Sequence, residues 1–261
     1  MNREIKYQKC FIAYLDILGF KEMVKQSEDN PDKIKSLLDS LIICNSFSLK
    51  SKKATTQGTP RTINIKSRFI SDSIVFFLKE NPEDIGHLFL IIRYIQDRLW
   101  DKGLLIRGAI THDDMYFPKG GNGNNITLGP GIIKAYQLES TVAIYPRIVV
   151  SEILFDYIKR YKIGAYPFAT GNTLADFVQQ DHDGIYFLDL LNKNIIRADG
   201  EKLEKEGDTF SIVWETDAPS KHKEIMSCVE RCINSFIKQN DNDEKTQQKY
   251  NWLKYYKESI Q

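Results

Sequence analysis

A mostly apolar run of residues near the N-terminus contains one acid, Asp16. Residues 9–18 read Lys-Cys-Phe-Ile-Ala-Tyr-Leu-Asp-Ile-Leu, and Gly19 ends the run. Apolar side chains at consecutive positions are typical of a strand that is covered on both faces, so we predict a central strand of a β-sheet here. A carboxylate inside such a strand is costly to bury unless it is paired, hydrogen-bonded or bound to a cation. The run therefore predicts a layered fold in which Asp16 needs a partner.

A second acid, Asp72, lies at a tight turn between two further apolar segments, residues 62–70 and 73–78. We predict two strands joined at Ser71 and Asp72. If these strands are neighbours of the strand that contains Asp16, both carboxylates can point at one spot. Together with phosphate oxygens they would then make a site for Mg²⁺ or Mn²⁺. Turn acids held by hydrogen bonds are the alternative, and the pattern alone leaves both interpretations open.

The order of the remaining elements predicts the fold class. The next predicted elements are helices that begin near residues 20, 30, 81 and 129, strands at residues 104–111 and 126–128, and a polar loop at residues 49–61. This order indicates an α+β fold with a mixed β-sheet covered by helices, close to a ferredoxin-like core.

The pattern weakens after about residue 150. Residues 185–190 predict a late strand, and residues 219–238 and 243–260 predict two amphipathic helices. We therefore divide the chain into a core at residues 1–155 and a C-terminal part at residues 156–261, which completes the domain and ends in two helices.

Charge and composition argue against several classes of partner. The 261-residue chain has 36 basic and 35 acidic side chains, so no bulk attraction to nucleic acid or to a membrane surface is expected. The N-terminal residues contain no apolar signal segment, and the apolar stretch at residues 88–92 is far too short to cross a bilayer. We expect a cytoplasmic protein with no membrane or nucleic-acid partner.

Reduced thiols are expected for the four cysteines, Cys10, Cys44, Cys228 and Cys232, because their spacing is not that of a zinc site.

Several other residues have simple structural interpretations. Asp113, Asp114 and the Asp-His-Asp run at residues 181–183 lie beside turns, and we expect these acids to be solvated. Trp252 and the tyrosine pair at residues 255–256 are expected to anchor the last helix.

Four segments, in order, resemble motifs of the catalytic domain of the class III nucleotidyl cyclases. Residues 14–20 read Tyr-Leu-Asp-Ile-Leu-Gly-Phe and are similar to the strand motif that supplies the family's first metal ligand. Residues 69–76 resemble the hairpin that supplies the second. Residues 105–111 resemble the strand after the next helix, and residues 129–140 resemble the segment after the last core strand. The resemblance covers roughly residues 8–155 and implies a class III cyclase core.

The resemblance implies the chemistry of the family for this chain. Two Mg²⁺ or Mn²⁺ ions would be held by Asp16, Asp72 and the backbone carbonyl of Ile17, and would align a nucleoside triphosphate. The ribose 3′-hydroxyl then attacks the α-phosphorus and expels pyrophosphate, so catalysis depends mainly on positioning and on charge neutralisation. The family completes its active site across a dimer interface, which implies a homodimer.

Phosphate binding is implied for the start of the first helix. Gly19, Phe20 and Lys21 would offer backbone N–H groups to the β- and γ-phosphates of the nucleotide. An ordinary strand-to-helix turn is the alternative interpretation of Gly19 and Phe20.

The sequence departs from the family at two catalytic positions. The asparagine that stabilises the transition state falls on Ile133 and the arginine falls on Gln137, and neither replacement supplies the same charge or hydrogen bonds. We keep Gln137 in the substrate site. Lys134, Arg107 and Arg147 are candidates to replace the missing cation, and we assign Lys134 to catalysis. For any one of the three, a solvated surface cation is the interpretation that the sequence favours.

The position that reads the base also differs. The purine-reading lysine of adenylate cyclases falls on Arg68, and its acidic partner falls near Ile126. An arginine with no acid beside it suits a carbonyl-rich base edge better than adenine. With the Tyr-Pro-Arg segment at residues 145–147 and the helical C-terminal end, this chain resembles the pyrimidine cyclases of Pycsar antiphage defence, which make cyclic CMP or cyclic UMP as an alarm signal.

Three hypotheses follow for the function. A metal-dependent cyclase acting on CTP or UTP is supported by the presence of both acids. A degenerate cyclase fold that binds a nucleotide or a partner without turnover is supported by Ile133 and Gln137. A polymerase-like relative that joins nucleotides is the third, but the glycine-rich double-acid turn expected of that branch is not found in the sequence.

Overall fold

A mixed sheet of ten strands runs through the part of the chain that the structure describes. The structure is a computed structural model, and it describes residues 6–28, 30, 32, 35, 47–51, 61–100, 103–117, 127–164, 173–192, 201–206, 209–214, 222–239 and 243–260. The strands are β1 (Gln8–Leu18), β2 (Phe47–Ser51), β3 (Arg61–Ile70), β4 (Ser73–Lys79), β5 (Leu105–Met115), β6 (Ile148–Val150), β7 (Val178–Gln180), β8 (Tyr186–Leu188), β9 (Glu201–Glu206) and β10 (Thr209–Trp214). The helices are α1 (Phe20–Ser27), α2 (Ile85–Trp100), α3 (Pro130–Thr141), α4 (Glu152–Arg160), α5 (His222–Gln239) and α6 (Glu244–Ile260).

Four strands form the centre of the sheet. β5, β1, β4 and β3 lie side by side in that order, and each is antiparallel to its neighbour. In chain order, α1 follows β1, a tight turn joins β3 to β4, and α2 links β4 to β5. A strand, helix, strand, strand, helix, strand succession of this kind is the ferredoxin-like motif. The predicted α+β fold, with a mixed sheet covered by helices and a helical C-terminal end, is therefore confirmed.

Other strands extend the sheet at both edges. β6 pairs in parallel with β5 and is followed by β8 and β7, whereas β2, β10 and β9 follow β3 at the opposite edge. The sequence predicts a loop at residues 49–61, but residues 49–51 belong to β2, so this part of the prediction is wrong. The polar composition of residues 49–51 hides the strand, which pairs with β3 and with the distant β10. Of the predicted strand at residues 126–128, Leu128 forms an isolated bridge to Tyr116.

The two faces of the sheet are covered by different helices. Leu15 and Ile17 of β1 belong to the large core that includes residues of α2, α4, α5 and α6. Cys10 and Ile12 of β1 belong to a smaller cluster on the opposite face, which includes Ala135 of α3. β1 is thus buried on both faces, as its apolar run predicts. Because side chains alternate along a strand, Asp16 is on the α3 face.

Local capping sets several element ends. Asn81 accepts a hydrogen bond from the backbone N–H of Glu83 (3.1 Å) and starts the 3₁₀ turn before α2. Gly103 has a φ of +72° and follows α2, where a left-handed residue ends a helix at little cost. Ser151 caps α4 by accepting from the N–H of Leu154 (3.3 Å).

Two aromatic side chains anchor the last helix, α6. The indole N–H of Trp252 donates to Asp181 Oδ2 (2.6 Å), and the hydroxyl of Tyr256 donates to Asp189. The predicted anchoring by Trp252 and Tyr256 is confirmed, but Tyr255 is 62% exposed and takes no part in it. The expectation that Asp181 is solvated is wrong, because its side chain is 6% exposed and lies between Trp252 and Arg147.

Two further expectations concern membranes and thiols. No helix in the described ranges combines the length and the apolar character that crossing a bilayer requires. Cys10, Cys228 and Cys232 are buried thiols that form no disulfide among the described residues, and burial raises the pKa of Cys10 to about 11. Cys44 lies outside the described residues.

Candidate active site

Asp16 and Asp72 lie at one end of two adjacent strands. Asp16 is paired with Ser73, the residue after Asp72, in the register of β1 and β4. The backbone N–H of Ile17 donates to the carbonyl oxygen of Asp72 (3.1 Å), which ties the turn to the end of β1. Ser71 in this turn has a φ of +58°, a left-handed conformation that makes the turn tight. The structure therefore brings the two acids to the same end of the sheet.

Arg107 links Asp16 to a third acid. Its Nε donates to Asp16 Oδ2 (2.9 Å), and its Nη2 lies 2.9 Å from Glu139 Oε1 in an ion pair. Arg107 and Asp16 are directly opposite each other in the register of β5 and β1. The expectation that Arg107 is a solvated surface cation is wrong, since its side chain is 25% exposed and bound by two carboxylates.

Glu139 is a site residue that the sequence motifs do not predict. It lies on α3 and is 4% exposed. Burial raises its pKa, the charge of Arg107 opposes that shift, and the negative charges of Asp16 and Asp72 add to it. Asp16 and Asp72 are therefore close enough to Glu139 for their charges to act on it. A signal was available, because Glu139 lies four residues after the buried Ala135 and so faces the sheet from α3.

A glycine brings α3 close enough for this contact. A Cβ atom on Gly131 would lie 2.7 Å from Ile12 Cδ1 and 3.1 Å from Met115 Sδ. The helix therefore packs directly on β1 and β5, and its later turn carries Glu139 to Arg107.

The turn between β1 and α1 lies at the same end of the sheet. Gly19 has a φ of +82°, and a Cβ atom there would meet no atom within 4 Å. Glycine is therefore favoured at this position because of the backbone conformation, and not because a larger side chain would lack space. Phe20, the first residue of α1, packs partly against the large core, while Lys21 is exposed. The first N–H groups of α1 follow Asp16 by a few residues.

The predicted base-reading position shares the face of Asp16. Arg68 is paired with Val75, which is paired with Tyr14, two residues before Asp16. Paired residues point to the same face, so Arg68 lies about 7 Å along the strands from the row of Asp16. Its Nη1 donates to the carbonyl oxygen of Ser67 (2.9 Å). Ile126, its predicted neighbour, lies outside the described residues.

The family's transition-state positions face away from the three acids. Ile133 is 59% exposed, and Gln137 is also exposed, whereas Glu139 on the same helix is buried. Lys134 is half-buried, and no carboxylate among the described residues forms an ion pair with it. Ile133 and Gln137 therefore face away from Asp16 within this chain.

Arg147 is unavailable as a surface cation. Its side chain is 1% exposed and pairs with Asp181 and Asp183. The interpretation of Arg147 as solvated is wrong, because a buried guanidinium needs carboxylate partners and finds two of them in the run at residues 181–183. Asp183 is 34% exposed, and its hydrogen bond from Arg147 lowers its pKa against the opposing effect of burial.

The donor set fits a metal that also binds phosphate. Among the described residues, no group of three or more His, Cys, Asp or Glu side chains is arranged to hold a metal ion. Mg²⁺ commonly uses one or two carboxylates and takes its remaining ligands from water and substrate phosphates. Asp16 and Asp72 supply such a pair of hard oxygen donors. Any ion that binds there would share the Asp16 carboxylate with Arg107.

One cleft lies at the other end of the central strands. A cleft of about 500 Å³ is lined by Gln8, Lys66, Phe77, Lys79 and Phe117, among others. Gln8 is at the start of β1, whereas Asp16 is near its end, so the cleft is at the opposite end of the strands. We do not assign it to the acid site.

Comparison with known proteins gives only weak likenesses. No protein-family model and no curated protein matches the sequence. Among solved structures, the adenylyl cyclase CyaB from P. aeruginosa is similar, with 16% identity, a TM-score of 0.41, and coverage of 71% of this chain and 96% of that one. The dimeric guanylyl cyclase domain of the RhoGC fusion protein from the aquatic fungus Blastocladiella emersonii has 15% identity, a TM-score of 0.39, and coverage of 70% and 95%. The adenylate/guanylate cyclase/hydrolase from Silicibacter pomeroyi has 14% identity, a TM-score of 0.35, and coverage of 70% and 95%. Likenesses at these TM-scores assign neither a family nor a function to this chain.

Proposed function

We propose that this protein is a nucleotidyl cyclase, which converts a nucleoside triphosphate to a 3′,5′-cyclic nucleotide and pyrophosphate. The observation that carries the proposal is the position of Asp16 and Asp72 at the same end of adjacent strands. The sequence motifs around both acids resemble the metal-binding motifs of class III cyclases. The turn at Gly19 and the start of α1, where phosphates are implied to bind, lie beside them.

The proposed reaction needs cations around a highly charged substrate. Asp16 and Asp72, with the carbonyl of Ile17, would hold two Mg²⁺ or Mn²⁺ ions. When bound, these ions supply charge neutralisation and acidify the ribose 3′-hydroxyl. The 3′-oxygen forms a bond to the α-phosphorus as the bond from that phosphorus to the pyrophosphate oxygen breaks, and the hydroxyl proton passes to solvent.

Residues of the chain position the substrate. The N–H groups at Gly19, Phe20 and Lys21 would bind the β- and γ-phosphates at the start of α1. Arg107 lies beside Asp16 and is the cation that we propose in place of the family arginine, since Gln137 is uncharged and faces away. A fixed guanidinium beside the reacting phosphorus stabilises charge that develops in the transition state.

We further propose CTP or UTP as the substrate, residues 1–155 as the catalytic part, and a cyclic pyrimidine alarm signal in antiphage defence as the role. Arg68 supports the base choice, because it lies on the α3 face close to Asp16.

A homodimer is proposed for the same site. Ile133 and Tyr136 on α3 are 59% and 52% exposed, which leaves an apolar surface for a second copy, and Lys134 and Gln137 would act there on the partner's substrate.

A binding module without turnover is the second candidate. It is favoured by Ile133, which cannot donate the hydrogen bond of the family's asparagine. It is also favoured by the ion pair between Arg107 and Asp16, which occupies one carboxylate oxygen of the proposed metal site. Such a protein would bind nucleoside triphosphates without forming a product.

The test is a product screen with all four substrates. Purified protein is incubated with ATP, GTP, CTP or UTP and Mn²⁺, and products are identified by mass spectrometry. Asp72→Ala should abolish the product, whereas the control Asp156→Ala, at an exposed position, should not. One cyclic pyrimidine nucleotide, absent in Asp72→Ala, supports the proposal. Nucleotide binding without any product under these conditions supports the binding module.

A further inference from the structure

We propose that Lys249, on the last helix, binds the phosphates of the nucleotide at the acid site. This inference rests on the proposed function, because the acid site is the one at which that function places the triphosphate. It assigns to the C-terminal helix a direct part in substrate binding, which the motifs of residues 8–155 do not provide.

The first support is the place where α6 is anchored. The N–H of Gly108, the residue after Arg107, donates to the carbonyl oxygen of Arg147 (3.1 Å), so the segment before β6 lies beside the start of β5. Tyr145 in that segment stacks on Trp252 of α6, with ring centres 5.6 Å apart and planes 5° apart. The anchored turn of α6 is therefore at the end of the sheet that carries Asp16 and Arg107. Trp252 packs on the face opposite α3, so Lys249 would reach the acids around the ends of the strands.

The second support is the orientation of Lys249 on the helix. Lys249 precedes Trp252 by three positions and Tyr256 by seven, which places all three on one face. Trp252 and Tyr256 are buried and Lys249 is half-buried, whereas Lys245 and Lys254 on the same helix are exposed. One helical turn, a rise of about 5 Å, separates the Trp252 anchor from Lys249.

The third support is electrostatic. Burial lowers the pKa of Lys249, as does the positive charge of Arg107, while the carboxylates of Asp243 and Asp16 raise it. Lys249 is therefore close enough to Arg107 and Asp16 for their charges to act on it. Within the described residues, no carboxylate forms an ion pair with Lys249, so its ammonium is available to an anionic ligand.

Charge balance explains why a lysine is useful there. The carboxylates of Asp16 and Asp72 act on Glu139, and the guanidinium of Arg107 is already paired with Asp16 and Glu139. A triphosphate entering this region meets net negative charge unless cations accompany it. A lysine on a flexible four-carbon stem is a common point-charge ligand for phosphate. Lys249 would thus supplement the metal ions at the β- or γ-phosphate.

The experiment compares charge variants at two positions of the same helix. Lys249→Met removes the proposed contact, Lys249→Arg keeps the charge, and Lys254→Met is the matched control at an exposed position. Binding of inorganic tripolyphosphate with Mg²⁺ is measured by isothermal titration calorimetry, and KM and kcat are measured for whichever nucleotide is cyclised. Lys249→Met should weaken tripolyphosphate binding about tenfold or more and raise KM similarly with little change in kcat, because a charged hydrogen bond to a ground-state phosphate is lost. Lys249→Arg should retain most of the affinity, and Lys254→Met should match the wild type.

The two proposals fail in different ways. If the wild type cyclises a nucleotide and Lys249→Met has an unchanged KM and tripolyphosphate affinity, the assignment of Lys249 is wrong while the cyclase stands. If the wild type forms no product, the proposed function fails, and a loss of tripolyphosphate binding in Lys249→Met but not in Lys254→Met still supports the phosphate site. Failure of the wild type to bind tripolyphosphate, or an equal loss in both methionine variants, overturns the assignment. Thermal melting checks each variant, and Lys249→Gln replaces Lys249→Met if the latter melts early.

Discussion

Arg107 and Asp16 face each other across β5 and β1, and Arg107 Nε donates to Asp16 Oδ2 over 2.9 Å. The same guanidinium reaches Glu139 on α3, so one cation joins two strands and a helix at the end of the sheet. Arg107 therefore pairs with a carboxylate that is also proposed to hold a metal ion. The same side chain therefore holds the strands and the helix together and lies where the reaction is proposed to occur.

Arg107→Met should lower kcat about a hundredfold or more, because it removes the proposed stabilising charge beside the reacting phosphorus. Arg107→Lys is the informative control, since a lysine keeps the charge but cannot bridge Asp16 and Glu139 with a planar fork. It should give an intermediate rate. Steady-state kinetics check this prediction, and equal rates for Arg107→Met and the wild type would contradict it.

Glu139 should make stability depend on pH. Its pKa in the folded protein is raised above its ordinary value of 4.5, so the folded state holds this proton more tightly than the unfolded chain does. The free energy of unfolding therefore loses a contribution as pH rises through 4.5 toward the folded-state pKa. Relative to the wild type, Glu139→Gln should gain stability when pH is raised through this window.

Urea unfolding at several pH values checks the role of Glu139. Glu258→Gln, at an exposed position of α6, is the control and should follow the wild type throughout. Parallel curves for Glu139→Gln and the wild type would show that the buried carboxylate does not titrate as described.

Asp181→Ala should destabilise the protein by about 3 to 5 kcal/mol, because it removes one partner of a buried charge and leaves Arg147 with Asp183 alone. It also removes the acceptor of the Trp252 indole. Asp156→Ala, where the side chain is 66% exposed and paired with Lys159, should change stability by less than about 0.5 kcal/mol. Chemical denaturation measures both, and equal effects would contradict the anchoring described for α6.

Gly19→Ala and Gly184→Ala form a matched pair. Both glycines have left-handed conformations, with φ of +82° and +81°, and neither has an atom within 4 Å of an added Cβ. Each substitution should cost about 1 to 2 kcal/mol of stability. Only Gly19→Ala should weaken nucleotide binding, because it alone disturbs the N–H groups at the start of α1. Equal nucleotide affinities in the two variants would argue against a phosphate site at that turn.

The sequence predicts the parts of the fold that depend on local pattern. The apolar run at residues 9–18 predicts the central strand, and the turn at Asp72 predicts the hairpin, because both signals lie within a few residues. β2 and β9 are less visible, because their segments are polar and lack the apolar run that marks β1; β2 also pairs with the distant β10, which its own sequence does not indicate. The short β6 is likewise missed.

The candidate site is likewise visible in the local sequence only in part. Asp16 and Asp72 stand out in the sequence as acids in apolar surroundings. The pairing of Asp16 with Arg107 depends on the register of strands that are 91 positions apart, so it is not visible in either segment alone. Arg147 is taken for a surface cation because its partners, 34 and 36 positions away, come from a turn whose acids look solvated.

Metal-dependent product formation tests the central claim most directly. The wild type is incubated with each nucleoside triphosphate, with Mn²⁺ or with EDTA, beside Asp16→Asn and Asp72→Asn, which keep side-chain shape and lose charge. We expect a cyclic nucleotide and pyrophosphate only for the wild type with Mn²⁺. Equal product in EDTA, or undiminished product in both asparagine variants, would contradict the assignment of Asp16 and Asp72 as the metal-holding pair of a cyclase.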